Sequence, residues 1–573
     1  MNQESIPRSS RRRVMGLAAS VFTAGAAGGS YAAPEPAAPQ FSRNDSVFFD
    51  VTRFGAVPDG KTKNTAALQR AIDACSAAGG GTVFVPPGTF LSGPLRLVSN
   101  LVLYLEAGSA IQGSPDLADY DVPASEPGGR PRRSGLISAT GLENVTITGR
   151  GAIDGNALAF VDRTKVHDAA DWDRKYTRQK DDYPEGTVAG EAPYERLPRP
   201  GHLIRFTGCR NLLLSGVTIK NSPLYNVHFI RCQNVGVFGV FVSSLDSGRR
   251  VPNDDGIDIS GCTNMRISGC NVQTTDDSIA VFDTRDLVVS NCTLESRSSA
   301  LRVGYGADTD NGEIRDCLFA NLALRGNRGI CVNVRGPYSV EHVQFSNIAI
   351  RTRLHAGHYW GKAEPIHISA IPFSGPQRMG HIRDVRFSDI DAEGEQGVVI
   401  CGCPESVIRD VSFLNMRLAI TEGPLQKTWG GNFDFRGTRD LGKALFEHDI
   451  PAIYAGHVEG FDIQGLRVEW HGQLPSFFTH AIQVEHCRDI EIAGFRGKQA
   501  QANASAAAIA VNDGSGVTVR DCRAEEGTGT FLALHDVADQ RLFVNNDLAR
   551  ARQATDPVQT DFQSTGNRLP GKR

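Results

Sequence analysis

The 573-residue chain carries 60 Lys plus Arg against 64 Asp plus Glu, a net charge of −4, with 61 glycines and 12 cysteines. That length holds several ordinary domains or one long repetitive one, and the composition is that of a soluble globular protein. The balance of charge disfavours a nucleic-acid partner, and no apolar run is long enough to span a membrane.

In chain order, "SRRRVMGLAASVFTAGAAGGSYAAP" places Arg11, Arg12 and Arg13 before a short apolar run and small residues around Ala32. This reads as an export signal over 1–32, twin-arginine-like, with the periplasm or the exterior as destination. Its loss removes four arginines and Glu4, taking the net charge to about −7. A linker (33–47) precedes "NTAALQRAIDACSAAGGG", where Leu68, Ala71, Ile72 and Cys75 share one helical face from Asn64 to Gly79. A lone amphipathic helix there suits the cap of a solenoid.

From Leu142 onward one phrase recurs: "LENVTITG", "CRNLLLSG", "CQNVGVFG", "CTNMRISG", "TRDLVVSN", "CRDIEIAG". Each is a polar turn followed by alternating apolar residues, the pattern of a short strand. Between the copies runs a second strand type, apolar–any–apolar, with middle residues His228, Asp258, Ala280, Arg302, Asn333 and His367. A period near 22 with loops of variable length predicts an all-β, single-stranded parallel β-helix over 48–548, with the middle residues turned outward. A β-sandwich would need hairpin turns that the sequence lacks. Segments 156–200 and 423–456 break the rhythm and read as insertions, and 549–573 as a tail. The cysteines show no metal-type spacing (the close pair is Cys401-Gly402-Cys403) and are expected as buried thiols.

Asp254-Asp255 and Asp276-Asp277 repeat at an interval of 22. Counting back three from the outward residues gives Asp255, Asp277 and Ser299, which therefore stack on successive turns ~4.8 Å apart. Such a carboxylate cluster reads as a calcium site, as polar stacking, or as an acid–base pair in which crowding raises one pKa. Asp254 is expected as a solvated neighbour without a role.

"NDDGID" at Asn253 and "TDDSIA" at Thr275 resemble the Asn-Thr-Asp-Gly-Ile-Asp and Gly-Asp-Asp-Cys-Ile-Ala motifs of glycoside hydrolase family 28, the polygalacturonase-like enzymes. "VTRFGAVPDGKTKNTAALQRAI", "PPGTFLSGPL", "RPGHLIRF" and "NSPLYNVHF" are also similar to that family. The resemblance implies a right-handed, pectin-lyase-like β-helix and hydrolysis with inversion, using Asp276 as general acid and Asp255 and Asp277 to activate water. Acid and base would then stand ~6.5–9.5 Å apart. It implies no cofactor and no metal, and an acidic plant polysaccharide or oligosaccharide as partner; a monomer is expected. Ser299 replaces the family's histidine, and "RGICVNVRG" replaces its Arg-Ile-Lys. Arg302 is the expected ligand of a substrate carboxylate, His228 and His367 expected subsite residues, and Trp360 a platform for a sugar ring, with Arg328 and Arg335 as further basic candidates. A calcium-dependent lyase and a non-catalytic glycan binder are the alternatives.

Overall fold

The computed structural model describes residues 47–122, 132–166, 176–180, 193–244, 251–305, 312–355, 359–375, 377–438, 444–557 and 563–571. The export-signal segment, and the linker up to residue 46, lie outside them. Helix α1, Thr65–Ala77, buries Leu68, Ala71, Ile72 and Cys75 against the first coils, as its amphipathic spacing requires. Asn64 at its start does not cap the helix with its side chain; it bonds Val57 and Thr62 instead and pins the preceding turn.

Beyond the helix, the strands join one continuous parallel sheet wound into a β-helix. Its crossovers take the right hand that twisted parallel strands impose. The strands that carry the site are β1 (Val227–Ile230), β2 (Ile257–Ser260), β3 (Ile279–Phe282), β4 (Ser299–Val303), β5 (Arg328–Val334) and β6 (Ile366–Ala370). Phe229, Ile259, Val281, Val303, Val332 and Ile368 stack inward in register. Phe319, Phe345, Phe387 and Phe413 form a second inner ladder with centroids 5.0, 4.7 and 4.9 Å apart. Truncating one rung of such a core costs ~3–5 kcal/mol for Phe→Ala.

Asn144, Asn211, Asn234 and Asn264 turn each corner with positive φ, a conformation asparagine tolerates. Each amide donates to the asparagine of the preceding turn, at 3.1, 3.1 and 2.7 Å for the last three. All twelve cysteines are free thiols and ten are buried.

The outward row is His228, Asp258, Ala280, Arg302, Cys331, His367. Cys331 therefore stands where the spacing predicted Asn333. Both point outward, because side-chain direction has period two, so alternation by itself does not detect a slip of two residues.

Both irregular segments leave the coil. Val161–Val166 pairs antiparallel with Tyr194–Arg196, and Asn432–Asp434 with Leu445–Glu447. They meet each other: Arg178 donates its backbone N–H to Asn432 (2.7 Å) and pairs with Asp449 (2.8 Å). Among the described residues, no helix is long and apolar enough to cross a membrane.

Candidate active site

The residue three before each outward position forms its own row, Tyr225, Asp255, Asp277, Ser299, Arg328 and Glu364, linked by backbone hydrogen bonds from turn to turn or by strand register. Gly256 makes the row possible, since a Cβ there would stand 2.4 Å from the Ser278 carbonyl oxygen. Asp255, Asp276 and Asp277 each offer a carboxylate oxygen within 4.8 Å of the others. This is closer than the wide acid–base gap the resemblance implied. The cause is that Asp255 and Asp277 occupy adjacent rungs of one row, with Asp276 beside Asp277 in the chain.

Asp277 accepts the Ser299 N–H at 3.1 Å and Arg302 Nη2 at 3.2 Å on one oxygen, and Arg302 Nε on the other. The guanidinium stays charged despite its burial because of this pairing. Asp276 accepts its neighbour's N–H at 3.1 Å and the Asn253 amide at 3.2 Å. Burial first, then the adjacent Asp277 charge, pushes its carboxyl up to about 6. Asp255 is raised well above the usual carboxylate range by burial, then by Asp276.

Asp254 departs from expectation. It is fully buried and accepts from the backbone N–H groups of Thr275 (2.9 Å) and Asp276 (3.0 Å) and from the Thr275 hydroxyl. It thus fixes the turn that presents the acid. Asp258, also unassigned from sequence, is buried beside the cluster with neither oxygen hydrogen-bonded. Burial and the charges of Asp277 and Asp276 raise its carboxyl well above the usual range.

The carboxylates open into a cavity of about 280 Å³, at the small end of ligand pockets (~300–1,000 Å³). Tyr225 and Asn253 line one side; Tyr305, Tyr359 and Trp360 line the other. Arg199 holds the near wall by donating to the Pro223 and Pro252 carbonyls (2.8 and 2.5 Å) and to Asn253 (3.0 Å). Trp360, just before β6, stands in the cavity, with the Arg302 guanidinium 5.2 Å from its ring centre.

The far wall is latched from behind. Asp434 of the 432–447 hairpin accepts the Gly361 N–H at 2.6 Å and Arg436 at 2.6 Å, and Arg436 also donates to the Tyr359 carbonyl at 2.6 Å. Arg328 pairs with Glu364 at 3.5 Å, both fully buried. Against the cost of burial, Arg436 and Arg328 hold the Asp434 carboxyl far below its usual range.

The two histidines do not line the cavity. His228 bonds His202 (2.9 Å) and Ser260 (3.0 Å), and burial pushes it down to about 3, which keeps it neutral. His367 is fully buried beneath Phe435 and bonds Ser369 at 2.9 Å. Both are outward on the coil, as predicted, but neighbouring side chains and the docked hairpin cover them. Arg328 and Arg335 are likewise fully buried, Arg335 bonding Ser369 at 3.0 Å. Tyr225 escaped notice although the count of three that found the aspartates points to it.

The family model "Glycosyl hydrolases family 28" matches residues 75–353, a span that contains Asp255, Asp276, Asp277 and Arg302. A probable polygalacturonase of Vitis vinifera is 26% identical over 408 residues, 66% of this chain and 75% of that protein. An exo-poly-alpha-D-galacturonosidase of Dickeya chrysanthemi is 28% identical over 254 residues, 40% of this chain and 41% of that one, so the chain spans less than half of that relative. The family 28 exopolygalacturonase structure from Yersinia enterocolitica superposes with a TM-score of 0.51 at 21% identity, over 74% of this chain and 75% of that one, a likeness of fold. With the two aspartate motifs on adjacent turns of a parallel β-helix, these matches mark the chain as a glycoside hydrolase whose residues 75–353 are similar to glycosyl hydrolases family 28.

Proposed function

We propose that this protein hydrolyses glycosidic bonds in galacturonate-containing pectic chains and releases units from a chain end. The observation that carries the reading is Asp276, its carboxyl raised to about 6, at the floor of a cavity beside Asp255 and an arginine-paired Asp277. Asp276 protonates the leaving oxygen, and Asp255 and Asp277, side by side on adjacent turns, hold and deprotonate one water. The names of relatives that act on galacturonans support the substrate class. Arg302, the lysine or arginine among the lining residues, supplies the positive charge a uronate favours. The export signal read from the sequence supports a reaction in the periplasm or outside the cell.

The aromatic wall of Tyr305, Tyr359 and Trp360 on one side of the cavity supports cleavage from a chain end, because an internal cut needs a groove open on both sides. Purified protein on polygalacturonate should release short products from the first minutes while viscosity falls slowly. A rapid viscosity drop would exclude an end-acting enzyme, and no new reducing ends on homogalacturonan, rhamnogalacturonan or oligogalacturonides would exclude the pectic reading.

Carboxylates that each place an oxygen within 4.8 Å of the others stand nearer the ~5–5.5 Å spacing of retaining pairs, whereas the family resemblance implies inversion. Inversion is favoured here because the Arg302 pair and the Ser299 N–H occupy Asp277, which leaves it a poor nucleophile toward the anomeric carbon. Proton NMR of the first-formed product should show the inverted anomer; the retained anomer would assign Asp255 or Asp277 to a covalent step.

The same three oxygens could hold a divalent cation, the premise of a lyase. The Arg302 guanidinium already occupies both oxygens of Asp277, one of the three, so activity should survive excess chelator and no unsaturated, ultraviolet-absorbing product should form. Loss of activity in chelator, restored by calcium, would reverse the choice.

A further inference from the structure

A second cavity, about 270 Å³, lies on the loop that forms the rim of the first. Arg297, Arg325, Arg351, Arg353 and His355 line it, with Glu295 as the carboxylate among them. In a chain of net charge −4, four guanidiniums in one small cleft are a local reversal of sign. Their placement is built by the coil: Glu295, Arg325 and Arg351 are in register on successive turns, and the Arg353 N–H bonds the Gly326 carbonyl at 3.1 Å. Arg351 is engaged by Asp391 at 2.9 Å and Glu393 at 3.6 Å. Arg297 donates to His355 Nδ1 at 2.9 Å, which ties the two flanking loops together. Arg325 and Arg353 are exposed and form no ion pair among the described residues.

The link to the catalytic cavity is covalent and short. Ser296 donates its hydroxyl to the Asp276 carbonyl at 2.7 Å and accepts the Ser298 N–H at 2.8 Å, and Ser298 lines the catalytic cavity. Arg297 lies between the two serines. With Tyr305, Tyr359 and Trp360 on the far side, the 296–298 loop is a rim over which a polymer whose end occupies the catalytic cavity can leave.

We propose that this basic groove is a remote anion subsite that holds carboxylates of a polyuronate chain outside the catalytic cavity. The proposal rests on the pectic reading for the identity of the polymer, but its binding can be measured without turnover. In the otherwise unaltered protein, Arg325→Ala/Arg353→Ala should lower kcat/KM on long polygalacturonate by roughly fivefold, from two partly screened surface contacts, and leave digalacturonate within about twofold. The difference should disappear near 0.5 M salt, where exposed charges are screened. Both side chains are exposed, so the thermal midpoint should not move. In an Asp276→Asn background, titration with polygalacturonate, neutral galactan and inorganic phosphate should show tight binding of the first alone, weakened by the double substitution. Equal losses on long and short substrates, no loss on either, or a substitution effect on phosphate but not on polygalacturonate would overturn the subsite. If wild type cleaves no pectic substrate yet the double substitution still weakens polygalacturonate binding, the function proposed above fails and the groove stands.

Discussion

Asp276→Asn should abolish turnover, lowering kcat by roughly 10²–10⁴-fold, the usual contribution of a positioned proton donor, with substrate binding largely kept. The amide keeps the shape, and its one oxygen can still accept from either the Asn253 side chain or the Asp277 N–H, so the main loss is one of chemistry. The pH dependence has a definite sign. The working form of Asp276 is protonated and its carboxyl titrates at about 6, so wild-type kcat/KM should fall as pH rises through that value. Residual activity of the variant should lack that limb. The same raised pKa has a cost in stability. The folded state holds a proton that the unfolded chain releases near 3.8; the favourable contribution is complete below that pH and is lost as pH rises through about 6. Thermal unfolding at pH 7 to 8 should therefore find Asp276→Asn more stable than wild type by about 1–3 kcal/mol, with little difference at pH 4. A variant that is less stable at neutral pH, or one that retains turnover, would remove Asp276 from the acid's role.

Arg302→Gln should produce the second large effect, through Asp277. Removing one partner of a buried pair costs ~3–5 kcal/mol because the other charge is left uncompensated, so the melting temperature should fall clearly. Activity should fall as well, and a pH profile separates positioning from packing. Arg302 lowers the Asp276 carboxyl against the effects of burial and Asp277, so its loss should move the alkaline limb of kcat/KM upward from about 6. Arg302→Lys keeps the charge without the paired geometry and should restore the limb more than the rate. Acidic sugars should lose more than neutral ones, since the guanidinium is also the cation at the cavity wall. An unmoved pH limb together with equal losses on both sugars would leave Arg302 a purely structural residue.

Much of this was legible before any coordinates. Helix α1 follows from the spacing of Leu68, Ala71, Ile72 and Cys75, and the coil from a strand pattern repeating near every 22 residues. A fixed count of three from the outward residues places Asp255 above Asp277 and Ser299 beside them. These are local or periodic properties, and in a solenoid each turn lies on the previous one, so periodicity in the chain becomes adjacency in space. The tertiary structure decided what covers that face. Cys331 rather than Asn333 takes the rung between Arg302 and His367, because two outward residues of one strand look alike in the pattern. Asp254 is buried because the Thr275–Asp276 turn closes over it, and His367 because the 432–447 hairpin docks above it. That hairpin is held by Asp434 and Arg436 on Gly361 and Tyr359, 73 and 77 residues away in sequence. No period relates those residues. These hydrogen bonds exist only once the insertion has folded back onto the coil, which is why the chain by itself specifies the carboxylates and only the packed molecule specifies the pocket around them.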